Sequence, residues 1–137
     1  MNEQFISSEI AEKLKKLNFN EPCLGWYEYD EDGEFLVLLS GVRGNKKYRH
    51  INGYFGVLQH DLTKNKTLAP LYQQVQKWLR EVHNIHIQII FLHSNNRYVF
   101  EIYKYGEEDI ESVLEYKTYE EALEEGIKNG LKLINND

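Results

Sequence analysis

Residues 67–82 (TLAPLYQQVQKWLREV) and 118–134 (TYEEALEEGIKNGLKLI) decide the fold, because both have the apolar spacing of amphipathic helices. Three runs rich in β-branched and aromatic residues lie between them, at residues 85–93, 97–105 and 111–117. The short links between these runs favour antiparallel pairing. The second half of the chain therefore predicts a helix, three antiparallel strands and a final helix.

The two helices carry clear local signals. Thr118 and Glu121 have the spacing of a capping box at the start of the last helix. Gly126 and Gly130 lie on its apolar face, and since glycine costs a helix about 1 kcal/mol, they predict a close approach to the sheet. In the earlier helix, Pro70 falls in the first turn, where a missing N–H is tolerated. The apolar stripe of that helix contains Leu68, Leu71, Val75, Trp78, Leu79 and Val82.

The first half of the chain predicts one helix followed by hairpins. Ser7 or Ser8 starts a helix whose buried stripe contains Ile10 and Leu14. Residues 23–29 and 34–39 flank the turn sequence DEDG, which predicts a hairpin. The run 35–39 (FLVLL) is apolar at every position, which predicts a strand that is central in its sheet or covered on both faces.

The segment between residues 43 and 66 is polar and rich in turn residues. The dipeptide Asn52-Gly53 predicts a tight hairpin between short, exposed strands, and residues 59–66 predict a polar loop. Together the elements predict an α+β fold in the order α-β-β-(β)-α-β-β-β-α. We expect an antiparallel sheet with helices packed mainly on one face, in a single domain covering residues 1–137.

The composition and the lengths of the apolar runs argue against a secreted protein and against a membrane protein. The chain of 137 residues has one cysteine, Cys23, so it cannot form an intramolecular disulfide, and a reducing compartment is expected. The N-terminal sequence MNEQFISSEI lacks the basic and apolar regions of a signal peptide. The longest apolar runs are too short to cross a bilayer. We therefore expect a soluble, cytoplasmic protein that does not interact with membranes.

The charge is unevenly distributed. Residues 41–66, here called the basic segment, contain six Lys or Arg and one Asp, a net charge of +5, whereas the remaining residues have a net charge of −11. Five neighbouring residues of this segment mix cations with an aromatic ring, and these are the candidate partner-binding residues: Arg43, Lys46, Lys47, Tyr48 and Arg49. Such mixtures are typical of single-stranded nucleic-acid surfaces. An acidic protein, or the Glu-rich last helix of a second copy of this chain, would also be attracted to it.

Three stretches resemble a known group of sequences. Residues 21–28 (EPCLGWYE), 68–85 (LAPLYQQVQKWLREVHNI) and 118–134 resemble a family of small uncharacterised proteins encoded by prophages and mobile elements of Bacteroides and related gut bacteria. The resemblance covers roughly three quarters of the chain and leaves out the basic segment. It implies a phage or mobile-element origin and a place in the cytoplasm of the host bacterial cell. It supplies no catalytic residue.

No residue set in the sequence predicts a reaction. His83 and His86 form an H-x-x-H pattern, but it crosses from a helix end to a strand start, so the two rings are not placed on one helix face. Cys23 lacks a neighbouring base and is expected to be a buried, inert thiol. Nucleotide-binding and hydrolase motifs do not occur. The sequence therefore predicts no catalytic residue, no cofactor and no metal ligand.

The helix–three-strand–helix order is shared with double-stranded RNA-binding domains. Those domains place lysines at the start of the last helix to contact phosphates, whereas this chain has four glutamates there: Glu120, Glu121, Glu124 and Glu125. We therefore expect no binding to double-stranded RNA.

Three functional hypotheses follow. The first is a small non-catalytic accessory protein of a phage or mobile element that acts through protein–protein interaction. The second is a nucleic-acid-binding accessory protein that uses the basic segment. The third is an enzyme, for which no residues can be named.

Overall fold

The computed structural model describes residues 5–38, 48–51, 54–63 and 65–134, with only the backbone described at residues 30, 48–51, 54–55 and 61. Within these residues the elements follow the order α-β-β-β-β-β-α-β-β-β-α, with antiparallel strands throughout. The predicted α+β class is confirmed. The chain divides into two compact units, Met1–Leu71 and Tyr72–Asp137, and cooperative folding of residues 1–137 as one domain stays a prediction.

The first helix begins where the serine pattern predicts. Helix α1 spans Ser8–Lys16, and the Ser7 side chain accepts a hydrogen bond from the Ile10 N–H at 3.4 Å. Ile10, Ala11 and Leu14 are buried. Asn18 has φ 65°, the left-handed conformation that commonly ends a helix.

The predicted hairpin after α1 is confirmed. Strand β1 (Gly25–Asp30) pairs with β2 (Gly33–Leu38), and the register Asp30↔Gly33 leaves a two-residue turn. Gly33 has φ +119°, a conformation that residues with a Cβ rarely adopt. Glycine at this position therefore permits the tight turn.

The expectation that the run 35–39 forms a strand that is central or covered on both faces is wrong for the described residues. The sheet order is β2-β1-β5, so β2 lies at an edge, and Phe35 and Leu38 are exposed. The central position belongs to β1 because the short strand β5 (Thr67–Leu68) pairs with Trp26 and Tyr27 on its other side.

A second hairpin joins β3 (Tyr48–Ile51) to β4 (Tyr54–Val57) with the register Ile51↔Tyr54, as the Asn-Gly signal predicts. The two linking positions lie outside the described residues. The expected full exposure is wrong at the end of β4, where Val57 is buried and exchanges two backbone hydrogen bonds with Cys23. A 3-10 turn at Gln59–Asp61 follows.

The second helix begins later than the sequence predicts. Helix α2 spans Tyr72–His83, whereas Thr67 and Leu68 are extended and paired with β1. The residue before a proline is disfavoured in a helix, and the Ala69 N–H instead bonds to the Gly25 carbonyl at 2.9 Å. The buried stripe of the helix contains Val75, Trp78 and Leu79, whereas Val82 is exposed.

The second unit contains a three-stranded sheet. Strand β6 (Ile85–Leu92) pairs along its whole length with β7 (Arg97–Lys104), and β8 (Ile110–Glu111) pairs on the other side of β7. The predicted third strand at residues 111–117 is therefore shorter than expected, since regular pairing stops at Glu111 and resumes only as a bridge at Tyr116.

Helix α3 (Tyr119–Leu131) packs on β6 and β7. The Thr118 hydroxyl accepts a hydrogen bond from the Glu121 N–H at 3.1 Å, which confirms the predicted N-cap. Gly126 and Gly130 are buried, and a Cβ at either position would lie within 3.2 Å of Ile87. The close approach of this helix to the sheet is therefore confirmed.

The apolar face of β6 is buried at only one end. The sequence predicts burial of Ile85, Ile87, Ile89 and Phe91, yet burial decreases from Ile85, which is fully buried, to Phe91, which is exposed. The reason is the position of α3, whose two glycines lie over Ile85 and Ile87. The other end of the sheet carries the candidate site.

Candidate functional site

Four aromatic side chains lie at one end of the sheet in the second unit. Phe91 of β6 is in register with Tyr98 of β7, which forms an antiparallel bridge with Tyr116. The Phe91 and Tyr98 ring centroids lie 5.2 Å apart, and the Tyr119 ring meets Tyr98 edge-on at 6.1 Å. We call Phe91, Tyr98, Tyr116 and Tyr119 the aromatic row.

The aromatic row is open to solvent at two positions. Phe91 is 47% exposed and Tyr119 is 43% exposed. Helix α3 begins at Tyr119, and the glycines with which it contacts the sheet lie beside Ile85, Ile87 and Phe100. The body of the helix therefore covers the opposite end of β6 and leaves the rings at this end accessible.

A bulge lies beside the aromatic row. The Ser112 N–H bonds to the Phe100 carbonyl at 2.9 Å, and Tyr98 and Tyr116 exchange two backbone hydrogen bonds of 2.8 Å. Residues 113–115 between these points oppose the single residue Val99, so the chain must project outward there. Val113 is 97% exposed and Leu114 is 64% exposed.

A side-chain contact restrains the far end of the bulge. The Asn95 side-chain N–H donates to the Glu115 carboxylate at 2.7 Å, which ties the bulge to the β6–β7 turn. Val113 and Leu114 therefore lie on a loop that this hydrogen bond restrains. We call the aromatic row together with Val113 and Leu114 the contact surface. Clusters of exposed apolar side chains of this kind are typical of protein–protein interaction sites.

Three exposed glutamates lie near the contact surface, together with the exposed Lys117. Glu120 and Glu121 lie exposed in the first turn of α3, and Glu115 is exposed at the end of the bulge. Burial raises the pKa of the Tyr116 hydroxyl, and the nearby Glu125 raises it further, while Lys128 opposes the change. Tyr116 is therefore a neutral hydrogen-bonding group at physiological pH. An apolar centre with a polar rim is the usual anatomy of a protein interface.

The side chains of the partner-binding residues predicted from sequence lie outside what the structure describes. Arg43, Lys46 and Lys47 lie outside the described residues, and Tyr48 and Arg49 are described only as backbone in β3. The binding role of these five residues stays a prediction.

Sequence reasoning missed the contact surface. Phe91 was expected to be buried because it continues the apolar alternation of β6. One signal was available in the third predicted strand, where Val113 and Leu114 are adjacent apolar residues. Adjacent residues of a strand point to opposite faces, so an apolar pair between Ser112 and Glu115 does not fit a half-exposed strand.

The side chains of His83 and His86, the H-x-x-H pair, both have structural contacts. The His83 ring meets Trp78 edge-on at 4.6 Å, and burial, together with the positive charge of Lys104, lowers the His83 pKa. His86 is exposed and hydrogen-bonded to the Asn84 side chain at 2.9 Å. In the described part of the chain no group of three His, Cys, Asp or Glu side chains is arranged to hold a metal ion.

Two carboxylates of the first unit hold its elements together. Glu12 of α1 accepts hydrogen bonds from the Tyr29 hydroxyl at 3.0 Å and the Thr67 hydroxyl at 2.8 Å, which ties α1 to β1 and β5. Glu28 accepts from the Trp26 ring N–H at 2.8 Å and forms an ion pair with Lys66 at 3.2 Å. These contacts lower the Glu28 pKa, whereas a general acid needs a raised one.

Cys23 is buried, as predicted, and its thiol donates to the Glu21 carbonyl at 3.2 Å. Among the described residues, no helix is both long enough and apolar enough to cross a membrane. Comparisons with protein-family models, with curated proteins and with solved structures return no match.

Proposed function

We propose that this chain is a small, non-catalytic accessory protein of a phage or mobile element that acts by binding another protein through the contact surface. The observation that carries the proposal is the exposure of Phe91, Val113, Leu114 and Tyr119 at one end of a sheet. The resemblance of residues 21–28, 68–85 and 118–134 to prophage-encoded proteins supports the genomic setting and the host cytoplasm.

The chemistry of the surface defines the partner. Its centre offers aromatic rings and two aliphatic side chains, which favour an apolar partner surface. Its rim offers the carboxylates of Glu115, Glu120 and Glu121, which favour lysines or arginines around the apolar contact. We therefore expect a partner protein with an apolar patch bordered by basic residues.

Replacing both Val113 and Leu114 by serine tests this function. Both side chains are exposed, so the free energy of unfolding should change by no more than about 0.5 kcal/mol, whereas partner binding should be lost because the two most exposed apolar side chains of the contact surface are removed. The measurement is affinity capture from a lysate of a Bacteroides host, with captured proteins quantified by mass spectrometry.

Tyr105→Ser is the matched control for this experiment. Tyr105 is 92% exposed and follows the opposite end of β7, away from the contact surface. We expect the control to capture the same partner as the wild type. A double variant that captures the partner as well as the wild type would contradict the proposal, as would equal losses in the double variant and in the control.

The charge distribution favours a second function, binding of single-stranded nucleic acid by the basic segment. The segment has a net charge of +5 in a chain whose other residues have a net charge of −11, and cations near aromatic residues suit single strands. If this function holds, wild type should elute from a single-stranded DNA column at higher salt than the triple variant Lys46→Glu, Lys47→Glu, Arg49→Glu.

A second triple variant controls for the change in net charge. Lys77, Arg80 and Lys117 are exposed in the second unit, and their replacement by glutamate changes the net charge equally. This control should elute close to wild type. Equal elution of all three proteins would exclude nucleic-acid binding by the basic segment.

A further inference from the structure

The backbone of β6 has an unpaired edge in the part of the chain that the structure describes. Phe100 and Tyr98 direct their N–H and carbonyl groups towards Ser112 and Tyr116. In an antiparallel ladder the N–H and the carbonyl of one residue point to the same side of its strand. The N–H and the carbonyl of the directly opposite residue point in the reverse direction. The register partners Ile89 and Phe91 therefore direct their N–H and carbonyl groups away from β7, to the outer edge of the sheet.

One end of this edge is already occupied. The Gln76 side-chain N–H of α2 donates to the Ile87 carbonyl at 3.2 Å. An incoming strand that used Ile87 would have to displace this hydrogen bond. The N–H and carbonyl groups of Ile89 and Phe91 have no such contact in the described residues.

The edge lacks the usual protection against pairing. Natural edge strands carry lysine, proline or a bulge, which prevents unwanted association. Strand β6 has the sequence IHIQIIFL, it pairs without a bulge along its whole length, and it ends in four apolar residues. Phe91, whose side chain is exposed, lies on this part of the edge.

We propose that a second copy of this chain occupies the edge, with the two β6 strands antiparallel about a two-fold axis at Ile90. In this register Ile89 of each copy pairs with Phe91 of the other, which uses the N–H and carbonyl groups of both residues and leaves the Gln76 contact intact. Each such pair exchanges two hydrogen bonds, so about four form. The two three-stranded sheets become one six-stranded sheet, a common size.

The side chains are self-complementary in this register. On the helix-covered face Ile89 lies beside the exposed Phe91 of the other copy, and on the opposite face the two Ile90 side chains meet. Residues of β6 carry no Lys, Arg, Asp or Glu, so no like charges oppose each other within the strand. The second copy thus covers part of the apolar surface that a monomer exposes.

This inference goes beyond the proposed function, although both use Phe91. It is tested by analytical ultracentrifugation of the full chain, together with hydrogen exchange of individual amides measured by NMR. We expect a monomer–dimer equilibrium, and exchange of the Ile89 and Phe91 amides that slows as the dimer fraction rises. The Gln88 and Ile90 amides pair with β7, so their exchange should be slow at every concentration.

A charge at the two-fold axis should abolish the dimer. Ile90→Lys places two cations opposite each other, and the sedimentation coefficient should fall to that of the monomer. Val99→Lys is the control, because Val99 is the register neighbour of Ile90 on the same face and is also half-buried. In the dimer the two copies of residue 99 are three strand spacings apart, about 14 Å, so this variant should still dimerise.

The possible outcomes separate the two proposals. A wild-type monomer at all concentrations, or a dimer in which the Ile89 and Phe91 amides stay unprotected, overturns the pairing of β6 strands. Neither result affects capture of a partner through Val113 and Leu114. Conversely, if no partner is captured although the β6 dimer forms, the proposed function is wrong and the pairing of β6 strands is unaffected.

Discussion

Trp78→Ala is expected to lower the free energy of unfolding by about 3–5 kcal/mol. Trp78 is only 7% exposed and lies on the buried stripe of α2 with Val75 and Leu79. Its ring also contacts His83, with 4.6 Å between ring centroids. Removal of the indole leaves a cavity as well as the lost transfer free energy, which is why truncation of a buried tryptophan is among the costliest substitutions.

Urea denaturation followed by far-ultraviolet circular dichroism measures this effect without relying on tryptophan fluorescence. Val82→Ala is the control on the same helix, since Val82 is exposed and its truncation should cost less than about 0.5 kcal/mol. A loss under about 1 kcal/mol for Trp78→Ala would mean that the α2 stripe is not part of the core.

Gly126→Leu is expected to destabilise the protein by about 1–3 kcal/mol through overpacking. A Cβ at Gly126 would lie 3.0 Å from the Ile87 Cγ2 and 3.3 Å from the Phe100 Cβ. The remaining atoms of leucine have no space between α3 and the sheet, so the helix or the strands must move. The measurement is again the free energy of unfolding from denaturation curves.

Gly126→Ala separates packing from helix propensity. Alanine stabilises a helix by about 1 kcal/mol relative to glycine, and this gain offsets the tight contact of one methyl group with the Ile87 Cγ2 and the Phe100 Cβ. We therefore expect the alanine variant to be close to wild type. A leucine variant as stable as wild type would show that α3 does not lie close to β6 and β7 at this position.

The elements that the sequence predicts well are those with local causes. Thr118 caps α3 through a hydrogen bond to a backbone N–H three residues away, and Gly33 permits a two-residue turn inside the hairpin. Helix α1 likewise begins after Ser7. In each case the residue and the backbone conformation that it favours are only a few residues apart, so the local sequence is enough to predict the structure.

The elements that the sequence does not predict depend on distant partners. Thr67 and Leu68 are extended because β1, some 40 positions earlier in the sequence, offers hydrogen-bonding groups. That pairing places β1 in the centre of its sheet and β2 at the edge. Local apolar content could not show which of two apolar strands would be central, because the deciding contact is long-range.

The contact surface is a similar case. Phe91 is exposed because the glycines of α3 pack over the other end of β6. Val113 and Leu114 are exposed because the pairing register breaks between Ser112 and Tyr116. Neither depends on local sequence preference. The net charge of the basic segment, in contrast, can be counted directly from the sequence. That count does not show where the charged side chains lie relative to one another.

The proposed interaction is tested most directly by photo-crosslinking from position 114 in the host cell. A photoreactive phenylalanine analogue replaces Leu114 on the bulge in one variant and Tyr105, at the other end of β7, in a second variant. Both positions are exposed, so both variants should fold. We expect a crosslink to one partner protein from position 114 and none from position 105. No crosslink from position 114, or the same crosslinks from both positions, would contradict it.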